Sequence, residues 1–169
     1  DEVLDLIFRA FCIPNQDKII VMPPTYGMYR FLANINCITL DEVPLNNDFE
    51  LVTKDIINQI STQTKAIFLC SPNNPSGNSF HREDILTLLE SFTGLVVIDE
   101  AYIDFSTQKS LVSDLSSHPN LIITQTLSKA FGLAGIRLGF CISSEEIIDI
   151  LNKIKPPHNI NSLTQELSL

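Results

Sequence analysis

Residues 120–140 have the sequence NLIITQTLSKAFGLAGIRLGF, which combines an apolar strand with an unusual loop. The run at 121–123 predicts a buried β-strand that ends where polar residues begin. The loop holds Lys129 between a hydroxyl residue and an alanine, and continues past two glycines to Arg137. A lone lysine in a loop is more often a solvated surface charge, because lysine is mostly exposed in proteins. The role of Lys129 therefore depends on the residues that surround it.

The same alternation of apolar strands and helices occurs along the whole chain. Strands are predicted at 18–22, 37–41, 65–70, 95–98, 120–125 and 137–142, and helices near 1–12, 26–32, 53–60, 81–92, 110–116 and 144–154. Thr25 and Thr53 are the expected N-caps of two helices. Strands that are apolar throughout are typical of a parallel sheet covered on both faces. We therefore expect an α/β fold of three layers, α/β/α, with a mostly parallel central sheet.

The composition limits the possible functions. Of the 169 residues 44% are hydrophobic, and 11 basic against 20 acidic residues give a net charge of −9 without a basic run, which argues against a nucleic-acid partner. No apolar run approaches the ~20 residues of a membrane span, and no signal peptide is evident, so we expect a soluble, cytoplasmic protein without a membrane partner. The cysteines, which are widely spaced and predicted to be buried reduced thiols, are Cys12, Cys37, Cys70 and Cys141.

Polar sequence follows three successive predicted strands. SPNNPSG comes after Cys70, DEAY after Ile98 and TQTLSK after Ile123. In open parallel sheets ligands bind beyond the carboxyl ends of the strands, so these three loops are expected to share one rim. The polar residues predicted on this rim are Asn74, Asp99, Tyr102, Thr126, Ser128, Lys129 and Arg137.

Each of these residues also has a purely structural explanation. Asn74 lies among turn-forming residues and can simply shape a turn. Asp99 can cap the next element, Tyr102 can be a core residue with a satisfied hydroxyl, and Arg137 can belong to an ordinary ion pair. It is the combination of these groups on one rim that favours a binding site.

Three motifs resemble those of the fold-type I pyridoxal-phosphate enzymes, specifically the class I/II aminotransferases. They are SPNNPSG (71–77), VVIDEAY (96–102) and TLSKAFGLAGIRLG (126–139), and they have the family's order and spacing. PTYGMY (24–29) and DEAYIDF (99–105) most resemble the members that act on histidinol phosphate. The resemblance implies an enzyme of histidine biosynthesis that uses pyridoxal 5'-phosphate to exchange an amino group between histidinol phosphate and glutamate/2-oxoglutarate.

The resemblance also implies roles around the cofactor ring. Lys129 would bind the cofactor aldehyde covalently and move the substrate proton, and Asp99 would keep the ring nitrogen protonated. Tyr102 and Asn74 would donate hydrogen bonds to the ring phenolate oxygen, and Tyr26 would stack on the ring. The catalytic residues implied by the resemblance are therefore Lys129, Asp99 and Tyr102.

The cofactor phosphate needs donors and positive charge. By the same resemblance Arg137 would bind it, with the hydroxyls of Thr126 and Ser128 alongside. Asp1 would belong to a motif that opens a helix and supplies backbone donors to the phosphate. No metal ion is expected.

The resemblance also predicts how the chain is divided. Residues 1–155 are expected to form the cofactor-binding large domain, incomplete at its N-terminus, and 156–169 to begin the connection to an absent C-terminal small domain. In the family that domain carries the arginine that binds the substrate carboxylate, and the full-length protein is a homodimer. We therefore expect this part of the protein to be inactive by itself.

Three alternatives remain at this point. A phospho-amino-acid decarboxylase with the same cofactor would look almost identical over this segment, and another class I/II aminotransferase would share its motifs. A different class of function is a non-catalytic α/β module that mediates interaction or assembly. Cofactor attachment and reaction products would distinguish them.

Overall fold

A six-stranded sheet forms the centre of the computed structural model, which describes residues 1–168. The strands are β1 (Lys18–Val21), β2 (Thr39–Glu42), β3 (Thr64–Cys70), β4 (Leu95–Asp99), β5 (Leu121–Thr126) and β6 (Gly139–Ser143). The helices are α1 (Glu2–Phe11), α2 (Met28–Ile35), α3 (Thr53–Gln59), α4 (Arg82–Ser91), α5 (Glu145–Ile154) and α6 (Ser162–Leu167). None of these described helices is long and apolar enough to cross a membrane.

The strands lie in the order β2-β1-β3-β4-β5-β6, and every neighbouring pair is parallel except β5 and β6. The predicted mostly parallel sheet is thus confirmed. The last strand begins at Gly139, two positions later than predicted. A 3-10 turn at Ala134–Ile136 comes first, and Arg137 then adopts a left-handed conformation with φ of +56°. This reversal makes β6 antiparallel to β5.

Helices cover both faces of the sheet, which gives the predicted three layers. Along β1, Ile19 and Val21 pack in a core with α1, α2 and α5, whereas Ile20 and Met22 pack in a second core with α3 and α4. Successive side chains of a strand point to opposite faces, so a strand buried on both sides must be apolar at every position.

One row of side chains crosses the carboxyl ends of the three central strands. Cys70 is in register with Asp99, and Asp99 with Thr124. The row lies two residues beyond Val97 and Ile122, which belong to the core under α1 and α2. The period of two places Asp99 and Thr124 on that same face. The sheet therefore places the side chains of Asp99 and Thr124 at the edge of an otherwise apolar core.

The two predicted threonine caps were wrong. Gly27 occupies the N-cap position of α2, and Thr25 instead donates its hydroxyl to Asn73 Oδ1 at 3.0 Å. Thr53 is already helical, and its hydroxyl donates to Asp84 Oδ1 on α4, also at 3.0 Å. In both places a polar partner from a distant part of the chain replaced the local backbone partner that a cap would use.

All four cysteines are free, but they differ in exposure. Cys12 and Cys70 are buried and Cys141 is partly buried, as expected, whereas Cys37 is exposed. Cys37 directly follows the C-cap of α2 and has φ of +56°, the left-handed conformation that commonly ends a helix. The prediction of a buried thiol was therefore wrong for Cys37, because the end of the helix turns this residue outward.

Candidate active site

A cavity of about 360 Å³ opens at the carboxyl ends of β3, β4 and β5. Eight of the sequence-predicted residues line it, namely Asp1, Tyr26, Asp99, Tyr102, Thr126, Ser128, Lys129 and Arg137. Asn74 is half-buried in the loop after β3 and is not among the lining residues, so its contact with a cofactor stays a prediction. Residues 1–2 and 159–160 close another side of the cavity, where Asn159 Nδ2 donates to Glu2 Oε1 at 3.1 Å.

Asp99 provides a buried carboxylate at the end of β4. It is 7% exposed, its Oδ2 accepts from the Tyr29 hydroxyl at 3.1 Å, and its Oδ1 accepts from the Ala101 backbone amide at 3.1 Å. Burial raises the pKa of this carboxyl above its usual value, and both hydrogen bonds oppose that rise. Among residues 1–168, no lysine, arginine or histidine side chain pairs with it. The positive charge of the amino terminus at Asp1 lowers the pKa of Asp99, but no basic side chain of the described residues pairs with the carboxylate, so it can accept a cationic group.

Lys129 lies in the turn that follows β5. Its side chain is exposed, and its Nζ lies 5.3 Å from the centroid of the Tyr102 ring, a cation–π geometry. The Lys129 carbonyl accepts from the Gly132 amide at 3.0 Å, which closes the turn. Within the described part of the chain the amine has no acidic partner, so the turn presents an unpaired amine beside an aromatic ring.

Hydroxyls and a guanidinium line another part of the wall. Thr126 Oγ1 accepts from the Ser128 amide at 3.1 Å and lies 3.0 Å from Ser128 Oγ, so each hydroxyl is held in place by the other residue. Arg137 donates from Nη1 to the Ala134 carbonyl at 3.0 Å and makes no ion pair with any described residue. Its positive charge is available to an anion. The first turn of α1 begins next to Asp1 in the same wall.

Tyr26 approaches the cavity from the loop before α2. Its hydroxyl donates to Asp1 Oδ1 at 3.0 Å, and its ring meets Tyr29 edge-on, with centroids 5.7 Å apart and planes at 88°. Burial, and after it the nearby Asp99 carboxylate, raise the pKa of the Tyr26 phenol. The phenol therefore remains a proton donor, and Tyr26 is one of the residues that line the cavity.

Two residues of the site were not predicted as functional. Thr124 lines the cavity and is 6% exposed; its Oγ1 makes no hydrogen bond of good geometry among residues 1–168, but it lies close enough to Asp99 to lower the pKa of that carboxyl. Tyr29 lies just behind the wall, bonded to Asp99. Neither carries a short-range signal, because Thr124 lies beside Asp99 through strand register and Tyr29 reaches Asp99 from α2. A buried hydroxyl without a good hydrogen bond is able to donate to a ligand or to water.

Among the described residues, no group of three or more histidine, cysteine, aspartate or glutamate side chains could hold a metal ion. The functional groups of the cavity are instead a buried carboxylate, an unpaired amine, a phenol, hydroxyls and an unpaired guanidinium. Such a set suits an organic ligand that carries a cationic centre, an electrophile and an anionic group.

The chain belongs to the family of class I and II aminotransferases, whose family model matches residues 1–169. It is 66% identical over 169 residues to the histidinol-phosphate aminotransferase of Christiangramia forsetii, a match that covers all of this chain and 48% of the relative. The chain thus spans about half the length of the curated relatives it matches. The family resemblance of the three motifs is confirmed.

Solved structures with this fold include enzymes with different reactions. The histidinol-phosphate aminotransferase from Clostridium acetobutylicum matches with a TM-score of 0.87 and 26% identity, over 97% of this chain and 49% of that chain. L-threonine-O-3-phosphate decarboxylase from Porphyromonas gingivalis matches with a TM-score of 0.81 and 23% identity, over 97% of this chain and 48% of that chain. At 23% identity the second likeness shows the fold alone.

Proposed function

We propose that the protein containing this chain is a pyridoxal-phosphate-dependent aminotransferase that exchanges an amino group between histidinol phosphate and glutamate/2-oxoglutarate. The observation that carries the proposal is the buried Asp99 carboxylate, which forms no ion pair with a basic side chain of residues 1–168 and shares one cavity with Lys129 and Arg137. Membership of the aminotransferase family supports the reaction class. The name of the relative that is 66% identical supports the substrate.

The residues present fit the cofactor group by group. Pyridoxal phosphate combines a basic ring nitrogen, an aldehyde and a phosphate, and the cavity offers Asp99, Lys129 and Arg137 as their chemical complements. The Thr124 hydroxyl, in register with Asp99 on the neighbouring strand, offers a further polar group. When bound, the cofactor supplies an electron sink for negative charge that develops at the substrate carbon.

The side chains of the cavity would divide the work between binding and proton transfer. Asp99 would hold a proton on the ring nitrogen, because a buried carboxylate is stabilised by an adjacent cation. Lys129 would bind the aldehyde carbon through Nζ with loss of water, and, once the substrate amine has displaced it, its neutral amine would accept the proton from the substrate carbon. Tyr102, whose ring lies beside Nζ, would orient the amine, and Arg137 would anchor the phosphate.

The remaining assignments belong to the whole protein. We propose residues 1–155 as its cofactor-binding domain and 156–169 as the start of a connection to a second domain. A homodimer and a cytoplasmic location are part of the same proposal and follow from the family resemblance and from the sequence. Since the chain spans about half of its curated relatives, substrate selection is tested best in the full-length protein.

The first experiment tests covalent attachment at Lys129. The full-length protein is incubated with pyridoxal phosphate, reduced with borohydride and digested, and the labelled peptide is identified by mass spectrometry. The label should lie on Lys129, and Lys129→Ala should abolish it. Lys153→Ala, which removes an exposed lysine of α5, is the matched control and should leave the label in place. Labelling at other lysines only would contradict the cofactor assignment.

The second experiment tests the reaction. The full-length protein is assayed with histidinol phosphate and 2-oxoglutarate, and glutamate formation is the expected result. A phospho-amino-acid decarboxylase is the second candidate, because such an enzyme shares the fold with a TM-score of 0.81. Carbon dioxide release without glutamate would favour that candidate. Labelling at Lys129 with no turnover of any amino donor would instead favour a non-catalytic module that retains the cofactor.

A further inference from the structure

Tyr29 is a buried phenol behind the wall of the cavity. It is 1% exposed, and its hydroxyl donates to Asp99 Oδ2 at 3.1 Å. Its ring lies between two other aromatic rings, Phe68 with centroids 5.4 Å apart and Tyr26 at 5.7 Å. Tyr29 thus contacts two residues that line the cavity, Asp99 through its hydroxyl and Tyr26 through its ring.

We propose that Tyr29 is a positioning residue whose hydroxyl fixes the Asp99 carboxylate, while its ring edge holds Tyr26 against the cavity. The inference rests on the proposed cofactor function of that cavity. It assigns a role to a residue that does not line the cavity and that acts only through its two neighbours.

A second hydrogen-bond donor is needed to fix both oxygens of the Asp99 carboxylate. Oδ1 accepts from the Ala101 amide, a bond formed within the same short stretch of chain, and this bond alone leaves the second oxygen unconstrained. Oδ2 accepts from Tyr29, 70 residues away on α2. Two donors from different elements fix the plane of the carboxylate relative to the helix layer. A hydrogen bond to an ionised group in a buried site is stronger than one between neutral groups.

Packing alone does not explain a tyrosine at this position. The ring is surrounded by apolar residues of the core under α1 and α2, and a phenylalanine ring would occupy the same space equally well. The hydroxyl makes its geometric hydrogen bond to Asp99 Oδ2, and the Cys70 thiol also lies close to it. Burial, and after it the nearby Asp99 carboxylate, raise the pKa of the Tyr29 phenol well above its ordinary value, so the hydroxyl remains a proton donor. The role we assign to the Tyr29 hydroxyl is therefore its hydrogen bond to the Asp99 carboxylate.

The test begins without cofactor, so that it does not depend on the proposed function. Side-chain carboxyl carbons of aspartate are labelled with carbon-13 in the chain, and the Asp99 signal is identified by its loss in Asp99→Asn. In Tyr29→Phe the pKa of Asp99 should rise, because a donor to the ionised form is lost while burial is kept. Ser143→Ala is the matched control, since it removes one hydroxyl bond, to the Leu121 carbonyl, at the other end of β5.

A second measurement replaces the tyrosines by fluorotyrosine, in case Tyr29→Phe does not fold. A fluorinated phenol is a stronger donor, so the pKa of Asp99 should then fall. With pyridoxal phosphate added to the full-length protein, Tyr29→Phe should bind it about tenfold more weakly, which is about 1.4 kcal/mol. An Asp99 titration that is the same in Tyr29→Phe, fluorotyrosine protein and unmodified chain would overturn the proposal. Unchanged cofactor affinity beside an altered titration would also overturn it, whereas absence of cofactor binding by the unmodified protein would refute the proposed function instead.

Discussion

At the scale of single residues, Asp99 has two properties that oppose stability. It is 7% exposed and no lysine, arginine or histidine of residues 1–168 pairs with it. A buried charge without a counter-charge destabilises the folded state, and binding sites commonly retain such groups for function. The Arg137 guanidinium at the cavity wall likewise has no acidic partner among the described residues. These two residues therefore define the first predictions.

Replacing Asp99 by asparagine should stabilise the cofactor-free chain near neutral pH. The pKa of Asp99 is raised in the folded state, so the folded chain binds more protons than the unfolded chain between the two pKa values, and stability falls as pH rises through that interval. Asparagine removes this loss. We expect a gain of about 1 kcal/mol, or about 2–4 °C in melting temperature, above the interval and no gain below it.

The same variant should bind pyridoxal phosphate more weakly, because the cation acceptor is gone. Thermal unfolding between acidic and neutral pH, with and without cofactor, measures both effects. An asparagine variant that is less stable than the parent chain at neutral pH would contradict the interpretation of Asp99 as a destabilising charge.

Arg137→Gln should weaken binding of pyridoxal phosphate about tenfold and leave binding of pyridoxal unchanged. The reason is that the guanidinium has no acidic partner among the described residues and is assigned to the phosphate alone. Fluorescence titration with the two ligands makes the comparison, and the absence of a phosphate in pyridoxal provides the internal control. Equal weakening for both ligands would indicate that the substitution disturbs the loop and not a phosphate contact.

At the scale of elements, the sheet depends on close contact between the start of β4 and its neighbours. Gly94 precedes β4, and a Cβ at this position would lie 2.8 Å from the Lys65 carbonyl oxygen of β3 and would overlap the Phe92 ring. Both distances are shorter than a normal contact. A backbone oxygen within a parallel ladder cannot move aside without disturbing the strand pairing.

Gly94→Ala should therefore destabilise the chain by about 1–3 kcal/mol. Gly135→Ala is the matched control, because a Cβ there has no atom within 4 Å. Chemical denaturation of both variants checks the difference through the midpoint. A midpoint for Gly94→Ala equal to that of Gly135→Ala would show that the start of β4 has room that the structure does not show.

The helices and strands also show which features of the fold could be predicted from the sequence. Continuous apolar strands alternating with helices predict the layers, and polar strand ends predict the rim, because both are local patterns. The caps at Thr25 and Thr53 failed because their hydroxyls bond to partners 48 and 31 residues away. Thr124 and Tyr29 were missed as site residues because their importance depends on strand register and on a contact with Asp99. Such long-range contacts are not encoded in any short stretch of sequence.

At the scale of the whole molecule, the reactivity of the four thiols depends on how deeply each one is buried. Burial raises the pKa of Cys12 and of Cys70 to about 12, and that of Cys141 to about 11, whereas Cys37 is exposed. Only the thiolate reacts with disulfide reagents, and it needs access to solvent.

Cys37 should therefore react rapidly with a chromogenic disulfide reagent at neutral pH, and the other three thiols should react only as the chain unfolds. Counting released chromophore over time gives the number of fast thiols. Cys37→Ser should remove the fast phase completely, and full denaturation should then reveal the three slow thiols. A fast phase that persists in Cys37→Ser would contradict the closed packing of the core under α1, α2 and α5, where the other three thiols lie.

Residues 1–2 and 159–160 meet at one side of the cavity, and Asn159 and Glu2 are joined by a hydrogen bond across 157 positions of sequence. Contacts of such separation cost the most chain entropy and form late in folding. A chain with the sheet assembled but these segments apart would lack a wall of the cavity. Ligand binding thus requires that these two segments have met, and a cofactor held at Lys129 would mark only those molecules in which residues 1–2 and 159–160 are docked.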